Sequence, residues 1–182
     1  MSVSAAPTPA DSCSGARQPD LERQVWQVLE GVPDPEIPVL SVVDLGIVRH
    51  VRSAGSGADA VLHVGITPTY SGCPATEVIR QSVREALDAA GFTGAVLDEV
   101  LSPPWTSDWL TPAGRTKLAA FGIAPPEKPV NRPRHLFQAP NVTCPRCGST
   151  DTQRVSEFGS TPCKAHYRCG ACLEPFDYFK CL

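Results

Sequence analysis

The sequence predicts an α+β protein in which a small sheet is covered by helices and is followed by a second, metal-stabilised domain. Apolar residues recur at helical spacing over 20–32 and 75–90, and shorter alternating runs around them are typical of strands. The tail carries two Cys-x-x-Cys pairs, a spacing that suits a tetrahedral metal site. A tail of about forty residues is too short for an adequate core of its own, so the metal must contribute to its folding.

The composition favours a globular protein of the cytoplasm. The 182 residues suffice for one ordinary domain and a small one, and 42% of them are hydrophobic. A net charge of -3 without long like-charged blocks argues against nucleic-acid or membrane binding. We find no apolar run of membrane-spanning length and no secretory signal pattern. Eight cysteines in such a chain therefore indicate metal binding rather than disulfides.

A proline-rich loop is expected to follow the first helix. That helix should begin at Asp20, a good N-cap, and end at Pro33. Three prolines within 32–38 exclude helix and central strand, so this segment should be a rigid, extended loop. It carries Asp34 and Glu36 in fixed positions. Turn formation and capping are the simpler roles for these carboxylates, and catalysis is the alternative.

Three strands are expected in the first domain. Residues 47–51 and 60–66 alternate in polarity around a Gly/Ser-rich turn and predict a hairpin. Residues 95–101 predict a further strand beyond the second helix. Together these elements give the small sheet.

The segment 67–74 lies between the second predicted strand and the clearest predicted helix. Pro74 suits the first helical position, which makes Cys73 the expected N-cap. Unpaired N–H groups and the helix dipole at that position favour the thiolate, which is the form that binds metal or attacks an electrophile. The alternative is that Cys73 is a small buried hydrophobic residue.

Two tryptophans follow the third strand. Trp105 and Trp109 lie beside a Pro-Pro turn and need either burial in the core or a protein partner. Thr106 or Thr111 is expected to cap a short helix that Gly122 ends.

The tail contains six cysteines. Four of them form the two pairs and predict a four-cysteine zinc ribbon of short antiparallel strands: Cys144, Cys147, Cys169 and Cys172. A single zinc ion does not need Cys163 and Cys181. These two are buried thiols, extra ligands for another metal such as iron, or a redox pair.

These patterns divide the chain into four parts. We expect a disordered N-terminus, an α/β domain, a proline-rich linker and a ribbon-like domain, over residues 1–18, 19–123, 124–140 and 141–182.

Several short motifs, in this order, resemble a known family. At Asp34–Pro38, Asp44–Val48 and Thr67–Pro74 the chain resembles the metal–sulfur cluster assembly domain of iron–sulfur maturation factors. The run from Pro104 to Pro126 and the cysteine-rich tail narrow the resemblance to the D subunits of bacterial phenylacetyl-CoA oxygenases, the 1,2-phenylacetyl-CoA epoxidases.

The resemblance implies a role for particular residues. Cys73 corresponds to the functional cysteine of the assembly family, which handles iron or an iron–sulfur cluster in transit. Asp34, Glu36 and Asp44 correspond to its acidic loop positions. The resemblance also implies an accessory protein that matures or maintains a di-iron oxygenase. Its partners would be the other subunits of that complex or the iron–sulfur reductase, and the assembly family suggests a homodimer.

Other functions remain open at this stage. No Glu-x-x-His pair and no GxGxxG motif occurs, so an autonomous di-iron or nucleotide-dependent enzyme is disfavoured. A four-cysteine site can also hold iron, as in rubredoxin-like electron transfer. From residue 141 onward the chain contains five Lys or Arg residues and four Asp or Glu residues. This near balance of charge disfavours nucleic-acid binding. A protein-docking ribbon is the third possibility, with the tryptophans and the aromatic end of the tail as its surface.

Overall fold

The computed structural model describes residues 17–55, 61–70, 72–127 and 140–180. Within them the helices are α1 Arg17–Glu30, α2 Ala75–Ala89 and α3 Pro112–Phe121. The strands are β1 Val48–Ala54, β2 Val61–Ile66, β3 Val96–Glu99, β4 Ile123–Ala124, β5 Thr152–Ser156, β6 Lys164–Cys169 and β7 Pro175–Phe179. Cys181, most of the expected disordered N-terminus and most of the expected linker lie outside the described residues.

The first sheet has the order β1-β2-β3. β1 and β2 form the predicted antiparallel hairpin, and β2 pairs in parallel with β3 through the crossover helix α2. α1 begins at Arg17, three residues earlier than predicted, so Asp20 lies inside the first turn, where its carboxylate pairs with Arg23 instead of capping the helix. The α+β fold class is confirmed.

The second sheet joins the two parts of the chain. Its order is β4-β7-β6-β5, and β4 comes directly after α3 of the first domain. Ile123 pairs with Asp177 and Ala124 pairs with Tyr178 in a parallel ladder. The edge of the ribbon is therefore covered by a strand that belongs in sequence to the first domain.

The last strand of the ribbon also enters the core of the first domain. Phe179 is 1% exposed and belongs to the same apolar cluster as α1, α2 and the first sheet. Its ring meets Trp105 edge-on with the centroids 6.2 Å apart. The indole Nε1 of Trp105 donates a hydrogen bond to the carbonyl of Leu45 at 2.9 Å. We call this contact region, formed by Phe179, Trp105 and Leu45, the seat of the ribbon.

The prediction that the tryptophans and the aromatic end of the tail form a docking surface is wrong for most of these residues, because their side chains are buried. Trp105 is 6% exposed because it packs in the seat. The aromatic residues at the end of the tail are also buried: Phe176, Tyr178 and Phe179. These side chains use their apolar surface within the chain, so they do not offer it to a partner.

Trp109 is held from two sides. The Arg49 guanidinium lies 3.2 Å from the centre of its ring, a cation–π contact. Gly46 has a φ of 66°, and a Cβ there would lie 2.7 Å from the carbonyl oxygen of Trp109. This close approach requires glycine at position 46.

The short helix α3 has the predicted ends. The Thr111 hydroxyl accepts the N–H of Gly114 at 2.9 Å and caps the helix, while Gly122 ends it with a φ of 90°. Thr106, the other candidate, caps the 3-10 turn Ser107–Trp109. No helix among the described residues is long and apolar enough to cross a membrane.

Because Phe179 is buried at the centre of the seat, truncation of its ring should cause a large loss of stability. We expect Phe179→Ala to lower the free energy of unfolding by about 3–5 kcal/mol, because it removes a fully buried aromatic side chain and leaves a cavity. Urea unfolding followed by tryptophan fluorescence measures the effect. Phe121→Ala is the matched control, because Phe121 is 58% exposed and its loss should change stability by about 0.5 kcal/mol or less. Equal losses in the two variants would contradict the buried seat.

Candidate functional site

A small cavity collects side chains from both parts of the chain. The proline-rich loop after α1 contributes Asp34 and Glu36, and the segment before α2 contributes Cys73. The ribbon contributes Cys163 and Phe179. The structure thus brings four of the predicted site residues together, and one of them, the possible extra ligand Cys163, comes from the ribbon.

Cys73 lies at the start of α2 but does not cap it. The N-cap is Pro74, in helical conformation and without a side-chain cap bond, so the N-cap prediction is wrong by one position. The backbone forms a turn here, in which the N–H of Thr76 donates a hydrogen bond to the carbonyl of Cys73 at 3.2 Å. The Cys73 side chain is half-buried. It is therefore reachable from solvent while it lines the cavity.

Asp34 shapes the loop that carries Glu36. Its Oδ1 accepts the N–H groups of Glu36 at 2.9 Å and Ile37 at 2.7 Å, which is the turn chemistry expected of aspartate. Burial raises the pKa of Asp34, although these two N–H groups and the charge of Lys164 act in the opposite direction. Asp34 fixes the loop and also lines the cavity.

Cys163 faces the first domain and does not belong to the four-cysteine group. Its sulfur lies 3.0 Å from the Thr161 hydroxyl and 3.8 Å from Oε2 of Glu36. Burial raises the pKa of the Cys163 thiol, and the nearby Glu36 charge raises it further. The sequence set Cys163 apart from the four paired cysteines but could not place it beside Glu36, because its position depends on how the ribbon packs against the first domain.

Sequence reasoning missed Tyr70 and Lys164. The Tyr70 hydroxyl is buried and makes no hydrogen bond of ordinary geometry within the described part of the chain, and the Cys73 thiol is its polar neighbour. Burial raises the pKa of Tyr70 to about 12, and the negative charges of Cys73, Glu36 and Cys163 act in the same direction. Lys164 is 5% exposed and lies 4.0 Å from Asp177. Tyr70 lies in the motif around Cys73, but nothing in the sequence marks Lys164.

Asp44 does not line the cavity and instead anchors α3. Its carboxylate binds Lys117 at 2.6 Å and the Thr111 hydroxyl at 3.1 Å, and it also accepts the N–H and hydroxyl of Ser41. Burial alone would raise the pKa of Asp44, but Lys117, Ser41 and Thr111 outweigh it, so this pKa lies below its ordinary value. These contacts give Asp44 a positioning role.

The four paired cysteines of the ribbon form a compact group. Their sulfur atoms all lie within 4.8 Å of one another, and among the described residues no other set of three or more His, Cys, Asp or Glu is so close. The sulfurs of Cys144 and Cys172 are 3.8 Å apart, and those of Cys147 and Cys169 are 3.5 Å apart. A tetrahedral metal with bonds of about 2.3 Å to sulfur separates its ligands by about 3.8 Å. The donor set therefore fits one tetrahedral ion.

Two glycines allow the backbone to turn around these sulfurs. Gly148 has a φ of 74°, and a Cβ on Gly170 would lie 2.2 Å from the Asp151 carboxylate. Next to Gly170, the N–H of Cys172 points at the Cys169 sulfur at 3.5 Å. This N–H, together with the Cys147 thiol and the N–H of Ala171, lowers the pKa of Cys169 to about 7, whereas the neighbouring thiols raise the pKa of Cys172 to about 12, so in the metal-free group the thiolate is held on Cys169.

The fold and the cysteine group together define a class of protein in which an iron–sulfur cluster assembly domain is followed by a four-cysteine zinc ribbon. Residues 22–96 match the family described as iron-sulfur cluster assembly protein, and residues 128–180 match the PaaD zinc beta ribbon domain. An Escherichia coli (strain K12) protein named as the D subunit of 1,2-phenylacetyl-CoA epoxidase is 49% identical over 164 residues, which is 90% of this chain and 95% of that protein. The chain belongs to the family of 1,2-phenylacetyl-CoA epoxidase D subunits.

Shorter proteins resemble the first domain alone. An Fe-S protein maturation auxiliary factor of Porphyromonas gingivalis is 34% identical over 98 residues, 53% of this chain and 90% of the relative. The crystal structure of a domain of unknown function from Bacillus anthracis has a TM-score of 0.50 and 25% identity, and covers 56% of this chain and 94% of that chain. The first domain therefore has a fold that also occurs without a ribbon.

The Asp44 anchor predicts a pH-dependent contribution to stability. We expect Asp44→Asn to lower the free energy of unfolding by about 2 kcal/mol at pH 7, because it breaks hydrogen bonds to a charged acceptor. The folded-state pKa lies below the ordinary 3.8, so the contribution is complete above that pH and is lost as pH falls further. Urea unfolding should show the difference between wild type and variant shrinking at that acidic end. Lys117→Met removes only the half-exposed partner and should cost about 1 kcal/mol or less.

The ribbon metal should stabilise the whole chain. We expect Cys169→Ser to lose the bound metal and to disturb Trp105 fluorescence, because β7 carries Phe179 into the seat. Metal content and thermal unfolding measure the two effects. Cys13→Ser is the matched control: it removes a thiol from residues 1–18, which the sequence predicts to be disordered and outside both domains, and it should leave both measurements unchanged. A metal-free Cys169→Ser protein with native Trp105 fluorescence would show that the seat does not depend on the metal.

Proposed function

We propose that the chain is an accessory protein in the maturation or maintenance of a phenylacetyl-CoA epoxidase, and that Cys73 holds iron or an iron–sulfur cluster as cargo. The observation that carries this proposal is the position of Cys73 in the cavity beside the Asp34–Glu36 loop. A thiol that is half-buried in a lined cavity can bind an ion and still release it to a partner. The match of this domain to the iron–sulfur assembly family supports the same role.

We assign zinc to the ribbon as a structural ion. Its four ligands are all protein thiols, which leaves no open position for substrate, as in structural zinc sites. Once bound, zinc supplies folding free energy and no redox chemistry there. Iron in the same four thiolates would instead support an electron-transfer role, so metal and acid-labile sulfide analysis of protein purified without oxygen distinguishes the two.

The proposed acceptors are the di-iron oxygenase subunits or the iron–sulfur reductase of the same system. The E. coli relative is named as a subunit of this epoxidase, and the P. gingivalis relative is named as an Fe-S protein maturation factor. Free thiols at Cys73 and Cys163 suit the reducing cytoplasm.

Transfer from Cys73 can be measured directly. The chain is loaded with iron without oxygen and mixed with metal-depleted oxygenase and, separately, with cluster-depleted reductase. Iron, sulfide and recovered activity of each acceptor are then followed. We expect Cys73→Ser to reduce transfer at least about tenfold while ribbon zinc and thermal unfolding stay unchanged, because it replaces the cargo thiolate with a much weaker ligand.

The matched control for this test is Cys13→Ser, which should transfer like wild type. Full transfer by Cys73→Ser would contradict the role of Cys73. Unfolding of Cys73→Ser would show instead that this cysteine is structural.

A further inference from the structure

The cavity contains a second thiol that no role above uses. Cys163 belongs to the ribbon in sequence, yet its side chain is in the apolar core of the first domain and lines the Cys73 cavity. Only 6% of Cys163 is exposed. A structural thiol needs no carboxylate beside it, but Oε2 of Glu36 lies 3.8 Å from this sulfur.

We propose that Cys163 and Glu36, together with Cys73, form a second metal site that holds a single divalent ion of the Fe(II) class between the two domains. The inference rests on the proposed function, since it identifies where the cargo is held. Its new element is that the ribbon supplies one of the ligands. The ribbon then acts in metal handling as well as in folding.

The distance between Cys163 and Glu36 suits a shared ion. A tetrahedral ion with bonds of about 2.3 Å to sulfur and about 2.1 Å to oxygen separates these two ligands by about 3.6 Å. The observed separation is 3.8 Å. These two ligands are thus already placed for an ion without movement of the backbone.

Cys73 must turn to complete the site. It lines the same cavity, but it does not belong to a group of three close ligand atoms within the described ranges. A change of side-chain rotamer moves a cysteine sulfur by about 3 Å. Cys73 is also the more exposed of the two thiols, so it can act as the ligand that leaves with the ion.

The size and chemistry of the cavity favour one ion over a cluster. The cavity measures about 20 Å³, on a scale where one water needs about 10–15 Å³. A cluster adds several iron and sulfide atoms between its cysteines and exceeds this space. Two thiolates and one carboxylate suit Fe(II), Co(II) or Zn(II) rather than Mg(II) or Ca(II).

Cobalt binding tests the site independently of activity. The full chain, carrying one zinc per ribbon, is titrated with Co(II) without oxygen, and thiolate-to-cobalt charge transfer is read in the near ultraviolet. Zinc is measured before and after, so that exchange at the ribbon is detected. We expect one further equivalent of Co(II) with a thiolate band, and the same stoichiometry with Fe(II).

Two variants separate the contributions of the ligands. Cys163→Ser should weaken Co(II) binding at least about tenfold and lower the band by about half, because one of two thiolates is lost. Glu36→Gln should weaken binding about tenfold and keep the band, and it leaves the core unchanged because Glu36 is half-buried in a loop. Cys13→Ser should bind like wild type. If Cys163→Ser does not fold, Glu36→Gln still tests the site, because this variant keeps both thiols.

The outcomes distinguish this inference from the proposed function. Wild-type Co(II) binding and iron transfer by folded Cys163→Ser, with loss of both in Cys73→Ser, would overturn the composite site and leave the function of Cys73 standing. A site that depends on Cys181 instead of Cys163 would also overturn it. If Cys73→Ser binds Co(II) and transfers iron like wild type, both proposals are overturned.

Discussion

The arrangement of this protein depends on the burial of Phe179 against Trp105. The contact places a ribbon side chain in the core of the first domain, and the β4–β7 ladder next to it fixes the direction of the ribbon. The position of Cys163 beside Glu36 follows, because residue 163 lies just before β6, whose register with β7 pairs Lys164 with Phe179. A fully buried aromatic residue contributes several kcal/mol, far more than an exposed polar contact. Apolar packing therefore sets the geometry of the polar cavity.

The two groups of cysteines have different surroundings, and this separates their chemistry. The four ribbon sulfurs all lie within 4.8 Å of one another, which suits a closed site for one ion that stays bound. Cys73 and Cys163 line a cavity together with the carboxylates of Asp34 and Glu36, and the two cysteines come from different domains. Under the proposed function, this separation keeps the cargo ion at Cys73 apart from the structural ion of the ribbon.

The local elements of the fold could be predicted from sequence because they depend on local patterns. The hairpin, the helix α2, the Thr111 cap with its Gly122 stop and the ribbon cysteines all follow from periodicity or spacing. The seat could not be predicted, because the burial of Trp105 depends on a residue 74 positions later in the chain. For the same reason the sequence suggested a docking surface for aromatic residues that are buried. It grouped Asp44 with Asp34 and Glu36, although only the latter two reach the cavity, since the same residue types serve turns, anchors and sites.

The two-residue strand β4 has a consequence for how such a chain can change in evolution. The segment 97–127, which neither family match covers, carries Trp105, α3 and β4 and contacts both domains. Without the ribbon, Trp105 would lose the Phe179 ring that packs against it in the seat. Gain or loss of the ribbon therefore requires the surface around Trp105 to be rebuilt at the same time. Substitutions on the two sides of this contact should be inherited together, so the bridging segment is where selection links the domains.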